Sequence, residues 1–238
     1  MSAPISWSLP FFEPSPSLVV DRQYALIILN QPCSFPLLRG SGTRGNRLYD
    51  VLTEVDAGGS RGDLDSLRDD GVPVVYDPDL YATDLMKCIR ALEERDAAEG
   101  IQSDLIILGG LSGRLDQTVH TLSLLHKRRS GRMRIFAATD DNLAWVLDSG
   151  THHIPVNHDV FGPTCGLLPV GIDSTVLTTT GLRWNLTDAE SSFGGLVSTS
   201  NHLVPEEKVV TITTSKPIWW TMELRPEGCS EEVRLVME

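Results

Sequence analysis

The sequence predicts an α/β fold class: a parallel-sheet α/β unit followed by an all-β sandwich. Three observations carry this. Continuous apolar runs at residues 24–29 and 105–108 read as strands buried on both faces. Segments with helical apolar spacing lie between the strands, the alternation that builds parallel sheets. Beyond about residue 150 that spacing gives way to short runs rich in Thr, Val and Trp, punctuated by Gly, Pro and Asn.

Taken in order, residues 1–23 form a Pro-rich arm that reads as loose chain. Tyr24-Ala25-Leu26-Ile27-Ile28-Leu29 is a buried strand that Asn30-Gln31-Pro32 ends. Pro73-Val74-Val75-Tyr76 is a second, short strand. Residues 83–98 carry Leu85, Ile89 and Leu92 at helical spacing, with Gly100 as the stop. Leu105-Ile106-Ile107-Leu108 is a third strand running into Gly109-Gly110, and a second helix places Leu115, Val119, Leu122 and Leu125 on its inner face. Residues 133–137 and 144–147 supply further strands. The sandwich strands are 165–170, 175–180, 209–214 and 218–224. The expected organisation is an arm at 1–23, an α/β unit at 24–147 and a β-sandwich at 148–238.

The 238 residues include 20 Lys and Arg against 32 Asp and Glu, a formal charge of −12. Such a surface repels nucleic-acid phosphates and anionic lipid, so neither is an expected partner. No run approaches the roughly 18 apolar residues of a membrane span. The first twenty residues lack a basic stretch ahead of an apolar one, so no signal peptide is expected. Cys33, Cys88, Cys165 and Cys229 form no C-x-x-C pair, which fits a reducing, cytoplasmic setting.

Three constellations can carry chemistry. In Gly62-Asp63-Leu64-Asp65-Ser66, an extended backbone puts Asp63 and Asp65 on one side, a hard-oxygen pair suited to Mg²⁺; a solvated turn reads the same way. Thr83 and Asp84 open a helix, where capping alone explains them, and Lys87 one turn on can pair with Asp84 or meet a phosphate. Gly109-Gly110-Leu111-Ser112-Gly113-Arg114-Leu115-Asp116-Gln117 joins a buried strand to a helix, the place where α/β sheets bind anions. There Arg114 can neutralise phosphate and Asp116 can orient it or assist a metal. Other patterns fall away. Gly40 to Gly45 fits G-x-G-x-x-G, but Pro36 interrupts its approach and no clear helix follows at once. The loop at Ser112 is one residue short of a nucleophile elbow. His152, His153 and His158 read as surface residues of a turn-rich stretch. Trp219 and Trp220 read first as core, although a tryptophan face also binds organic cations.

Ordered blocks resemble the eukaryotic thiamine pyrophosphokinases. They run from residues 26–32 through Asn46-Arg47-Leu48-Tyr49-Asp50, residues 62–66, Thr83-Asp84 and residues 108–117. Residues 165–171, Thr178-Thr179-Thr180-Gly181-Leu182-Arg183-Trp184-Asn185-Leu186, Phe193-Gly194, residues 196–201 and Trp220-Thr221-Met222 continue the series. The resemblance implies Mg²⁺-dependent transfer of a pyrophosphoryl group from ATP to the thiamine hydroxyl, giving AMP and thiamine diphosphate. It implies a homodimer with active sites between subunits. Asp63, Asp65 and Asp84 would be catalytic and hold Mg²⁺; Thr83, Lys87, Arg114, Asp116 and Gln117 would contact ATP and its phosphates. Ser198, Asn201 and Trp220 would line the thiamine site, with Trp220 reaching in from the other subunit.

The sequence departs from the family pattern in three places. Gly42-Thr43-Arg44-Gly45 stands where an Asp-Gly-Gly-Ala stretch is usual, and the segment after Pro32 is about ten residues short. Gly71-Val72-Pro73 follows Asp70 where most of a helix is usual, and Leu80 replaces a glutamine. The alternative these departures raise is a non-catalytic thiamine- or nucleotide-binding homologue.

Overall fold

The computed structural model describes residues 3–9, 23–29, 49–52, 75–131 and 134–225. The 62–66 acidic stretch, Pro73 and Val74, and the glycines at 40–45 lie outside these residues.

Thirteen strands occur among the described residues: β1 (Ile5–Ser6), β2 (Tyr24–Ile28), β3 (Tyr49–Leu52), β4 (Asp104–Leu108), β5 (Ile135–Ala138), β6 (Asn142–Leu147), β7 (Gly150–Pro155), β8 (Phe161–Leu168), β9 (Ser174–Thr180), β10 (Ala189–Ser192), β11 (Ser198–His202), β12 (Val209–Thr214) and β13 (Ile218–Leu224). Two helices accompany them, α1 (Asp84–Glu99) and α2 (Leu115–Arg128).

The strands form an eight-stranded sheet in the order β11-β8-β13-β6-β5-β4-β2-β3 and a five-stranded sheet in the order β1-β7-β12-β9-β10. The α/β part is parallel as expected: β2 pairs with β3 and β4, and β4 with β5, all in parallel. At β6 the direction reverses, Ala137 facing Ala144, and the same sheet continues antiparallel through β13, β8 and β11. Strands on both sides of residue 147 therefore share one sheet, and its β-only end is faced by the five-stranded sheet.

Side-chain alternation along the strands assigns the two faces. Ala25, Ile27, Leu105, Ile107 and Ala137 pack with Leu85, Ile89 and Leu92 of α1 and with Leu124 and Leu125 of α2. The intervening Leu26, Ile106, Leu108 and Phe136 join Trp145, Leu177, Val210, Ile212 and Trp220 in the core between the sheets. The central strands are apolar on both faces because both faces are covered.

Helix α1 begins and ends as the sequence predicts. Thr83 is its N-cap, the side-chain oxygen accepting from the Met86 N–H, and Gly100 closes it at φ +67°. Four expectations need correction. Val75 and Tyr76 form no strand and are largely exposed; the chain turns at once, the Asp77 carboxylate accepting the Asp79 N–H and that of Asp79 the Tyr81 N–H. The buried face of α2 is Thr121, Leu124 and Leu125, whereas Leu115 is 76% exposed and Val119 also stands in solvent. The first turns of α2 leave from the strand ends, so its apolar stripe meets the sheet only in its second half. Residues 3–9 are not loose: Ile5 and Ser6 pair in parallel with His152 and His153, and Leu9 is buried. Those histidines lie on strand β7, and His152 is fully buried.

Candidate functional site

Strand β4 is buried at all five positions and delivers its carboxyl end to the glycine loop. The Gly109 N–H donates to Ala138 O, fixing the loop's start against β5. Gly109, Gly110 and Gly113 hold φ values of +88°, +82° and +79°. A Cβ on Gly110 would lie 2.9 Å from Leu29 Cδ1 and 3.2 Å from Thr121, so both conformation and space require glycine there. Arg114 then stands at the N-cap of α2, and its side chain makes no capping hydrogen bond.

Arg114 grips Asp116 through two hydrogen bonds, Nε to Oδ1 at 3.1 Å and Nη2 to Oδ2 at 2.6 Å. The Arg114 hydrogen bond holds the Asp116 carboxyl below its usual range, and the same bond raises Arg114. Both side chains stand in solvent, so the fork is open to a competing phosphate. Gln117 is exposed in the same turn.

The N-terminus of α1 lies against α2, with Thr83 Oγ1 3.5 Å from His120 Nε2. His120, four residues beyond Asp116, thus belongs to the group the structure assembles here; sequence spacing relative to Asp116 was the available signal for it. Burial pushes the Asp84 carboxyl up, opposed by the Lys87 charge. Lys87 also serves the preceding turn. Its Nζ donates to Asp77 O at 2.9 Å, while Arg90 bridges Asp77 and Asp79. This bracing holds out a turn on which Leu80 is 94% and Tyr81 99% exposed.

The structure thus brings Thr83, Asp84, Arg114, Asp116 and Gln117 to the carboxyl edge of the parallel strands, and Asp63 and Asp65 lie outside the described residues. Among the described residues no group of three His, Cys, Asp or Glu side chains is placed to hold a metal. No helix among them is long and apolar enough to cross a membrane.

A second group lies at the far end of the large sheet, on edge strand β11. Ser198 opens that strand ahead of an irregularity in its register, where Ser200 adopts φ +54°. Asn201 is buried and makes three hydrogen bonds: Oδ1 accepts from Trp184 N (3.2 Å) and His202 N (2.8 Å), and Nδ2 donates to Trp184 O (2.8 Å). Asn201 therefore fixes Trp184. The Trp184 ring is 52% exposed, lies 5.2 Å from the His202 ring, and carries the Arg183 guanidinium 4.9 Å from its centroid. The ring thus binds a cation already, the interaction by which a tryptophan face holds organic cations.

Trp220 faces the interior of this chain. Its side chain is 0% exposed, placed between the two sheets with Trp145, Leu167 and Met222. Alternation on β13 sends Ile218, Trp220, Met222 and Leu224 into that core and Trp219 into the helix-side core. The open tryptophan is Trp184, which the sequence marks only as part of a matching block.

These two groups coincide with two family matches. Residues 46–137 match the thiamin pyrophosphokinase catalytic domain, and residues 151–219 match the thiamin pyrophosphokinase vitamin B1 binding domain. A rice protein named thiamine pyrophosphokinase 3 is 36% identical over 261 aligned positions, covering 93% of this chain and 97% of the relative. Those positions outnumber the 238 residues of this chain, so the rice protein carries segments that this one lacks. Thiamine pyrophosphokinase 1 of Arabidopsis thaliana is 34% identical, covering 94% of each chain. The fold matches the crystal structure of yeast thiamin pyrophosphokinase with a TM-score of 0.78 at 20% identity, over 94% of this chain and 92% of that one. It matches the Candida albicans enzyme with a TM-score of 0.77 at 18% identity, over 94% and 95%. The chain belongs to the thiamine pyrophosphokinase family.

Proposed function

We propose that this protein is a thiamine diphosphokinase: it transfers a pyrophosphoryl group from ATP to the hydroxyl of thiamine and releases AMP. The single observation that carries the reading is that both halves of the family's machinery are matched in one chain, catalytic and vitamin-binding, each on a site of suitable chemistry. The non-catalytic alternative is not favoured, since the chain matches the catalytic domain and its relatives along most of its length; the glycine loop, Arg114, Asp116 and Asp84 supply groups suited to phosphate work.

The hydroxyl oxygen of thiamine attacks the β-phosphorus, the bond from that phosphorus to the α-phosphate oxygen breaks, and AMP departs with the electron pair. Such transfer asks for alignment and charge neutralisation rather than covalent help from the protein. The glycine loop and the start of α2 present backbone N–H groups to the triphosphate, and Arg114 exchanges its bond to Asp116 for phosphate oxygens. Asp84, a carboxylate at the same edge, accepts the hydroxyl proton.

Asp63, Asp65 and Asp84 are hard-oxygen donors and would hold Mg²⁺. The fit rests on Asp84, a desolvated carboxyl whose upward shift a neighbouring cation would reverse. When bound, the metal would supply charge neutralisation of the phosphates. Trp184 receives the thiazolium ring of thiamine once Arg183 swings aside, Ser198 lines the same edge, and Asn201 positions Trp184.

We further infer a homodimer. In the large sheet β11 lies five strand spacings from β4, about 24 Å at the usual spacing. An attacking oxygen must come within about 3.5 Å of its target, so vitamin and phosphate groups of one chain are too far apart to react. A second copy supplies the missing half, and the braced turn carrying Leu80 and Tyr81 is the apolar surface that it covers. The protein then works as a cytoplasmic enzyme on thiamine and ATP.

The test is product analysis with Mg²⁺ and ATP, thiamine present or omitted. Equal, thiamine-dependent formation of AMP and thiamine diphosphate supports the assignment. ATP breakdown independent of thiamine, or ligand binding without AMP release from a folded sample, would overturn it.

A further inference from the structure

The segment before β2 is held by a contact outside the candidate site. Strand β1 adds to the edge of the five-stranded sheet beside β7, and the Trp7 N–H extends the pairing by donating to His153 O at 2.9 Å. The Trp7 indole lies against Phe136 and Trp145, with centroids 6.0 and 5.4 Å apart, so it closes the end of the core between the sheets. Its Nε1–H donates to His152 Nδ1 at 3.0 Å. The other ring nitrogen of His152 lies 2.7 Å from Asp148 O. An indole only donates and a carbonyl only accepts, so these two partners fix the ring as neutral with its hydrogen on Nε2.

We propose that residues 3–9 are an acid-sensitive strap, released when protonation of His152 turns its Nδ1 from the acceptor of the Trp7 indole into a second donor facing it. Two N–H groups cannot share that 3.0 Å line, and the fully buried ring is shut off from bulk solvent.

The groups around the pair bear on its titration from every side. Burial holds His152 below the ordinary histidine value of 6.5, and His153 lowers it further. The hydrogen bond to Asp148 O and then the Asp148 carboxylate work against this, the carboxylate being shared with Arg129, whose Nε lies 3.6 Å away at the end of α2. The Arg134 guanidinium sits 4.2 Å over the Trp7 ring and adds positive charge that disfavours another proton. His126 on α2 is also held low, by burial and then by Arg129. A histidine lowered in the folded state contributes full stability above about 6.5 and loses it as the pH falls through the lowered value. The strap therefore holds at neutral pH and loosens in acid, exposing Leu9 and the β7 edge.

Hydrogen–deuterium exchange of the 3–9 peptide in the full chain tests this, at about pH 7.5 and about pH 5, corrected for the intrinsic pH dependence of exchange. The expected result is corrected exchange at least about tenfold faster at the lower pH. In His152→Gln, Oε1 accepts from Trp7 and Nε2–H donates to Asp148, so the difference disappears while protection stays. Should that variant fail to fold, Trp7→Phe removes the indole donor and gives fast exchange at both values. Equal protection of the unaltered chain at both values, or an undiminished pH step in either variant, would overturn the strap.

Discussion

Asn201→Ala separates a structural from a functional role for the second site. The alanine removes three hydrogen bonds: acceptance from the N–H groups of Trp184 and His202, and donation to Trp184 O. Each is worth about 0.5–1.5 kcal/mol net, and a backbone group left buried without a partner costs more. Taking the lower part of that range for each of the three bonds, the total is about 2 kcal/mol. For a chain of this size that lowers Tm by about 4–8 °C. Because Asn201 acts by fixing Trp184, the thiamine KM should rise about tenfold or more with the ATP KM nearly unchanged, and Trp184→Ala should reproduce the KM change without most of the Tm loss. Thermal unfolding and steady-state kinetics in both substrates provide the readout. A lowered Tm with an unchanged thiamine KM in both variants would refute the assignment of Trp184 as the cation-receiving ring.

Gly110→Ala forces a side chain into positive φ and against Leu29 and Thr121; the two costs sum to about 2–5 kcal/mol, seen as a lower midpoint in urea together with a raised ATP KM. Asp84→Asn should abolish turnover yet raise Tm at neutral pH. A carboxyl raised in the folded state takes more protons than in the unfolded one, so its ionisation weakens the fold above the ordinary value of 3.8; the gain should shrink as the pH falls through the raised value toward 3.8, followed by thermal melts across pH. Arg114→Lys keeps the charge but loses the two-pronged fork; kcat should fall at least about tenfold while the thiamine KM stays within about twofold.

The α/β half was legible because its signals are local. The apolar runs of β2 and β4, Thr83 as N-cap and Gly100 as stop define elements without reference to distant chain. The glycine loop was legible for the same reason: positive φ at a strand-to-helix turn leaves a mark in composition. What escaped depends on contacts far apart in sequence. His152 is buried because Trp7, 145 residues away, lies over it, and nothing within residues 150–158 announces that cover. Trp184 and Trp220 differ in their surroundings, not in residue type: one is lifted into solvent by Asn201, the other turned inward by the parity of β13. The exposed start of α2 likewise follows from where β4 ends, so its spacing read correctly as helix while its inner face was misassigned.

The measurement closest to the central claim mixes two variants, each defective in a different half of the site. Asp84→Asn damages the phosphate group and Trp184→Ala the vitamin group. If the site is built from two copies, mixed dimers contain one site with both halves intact. An equal mixture after subunit exchange should then recover about a quarter of the unaltered thiamine diphosphokinase activity under conditions where each variant alone is nearly inactive. Activity no greater than the average of the two separate variants, in a sample shown to have exchanged subunits, would contradict the account and place both half-sites within a single chain.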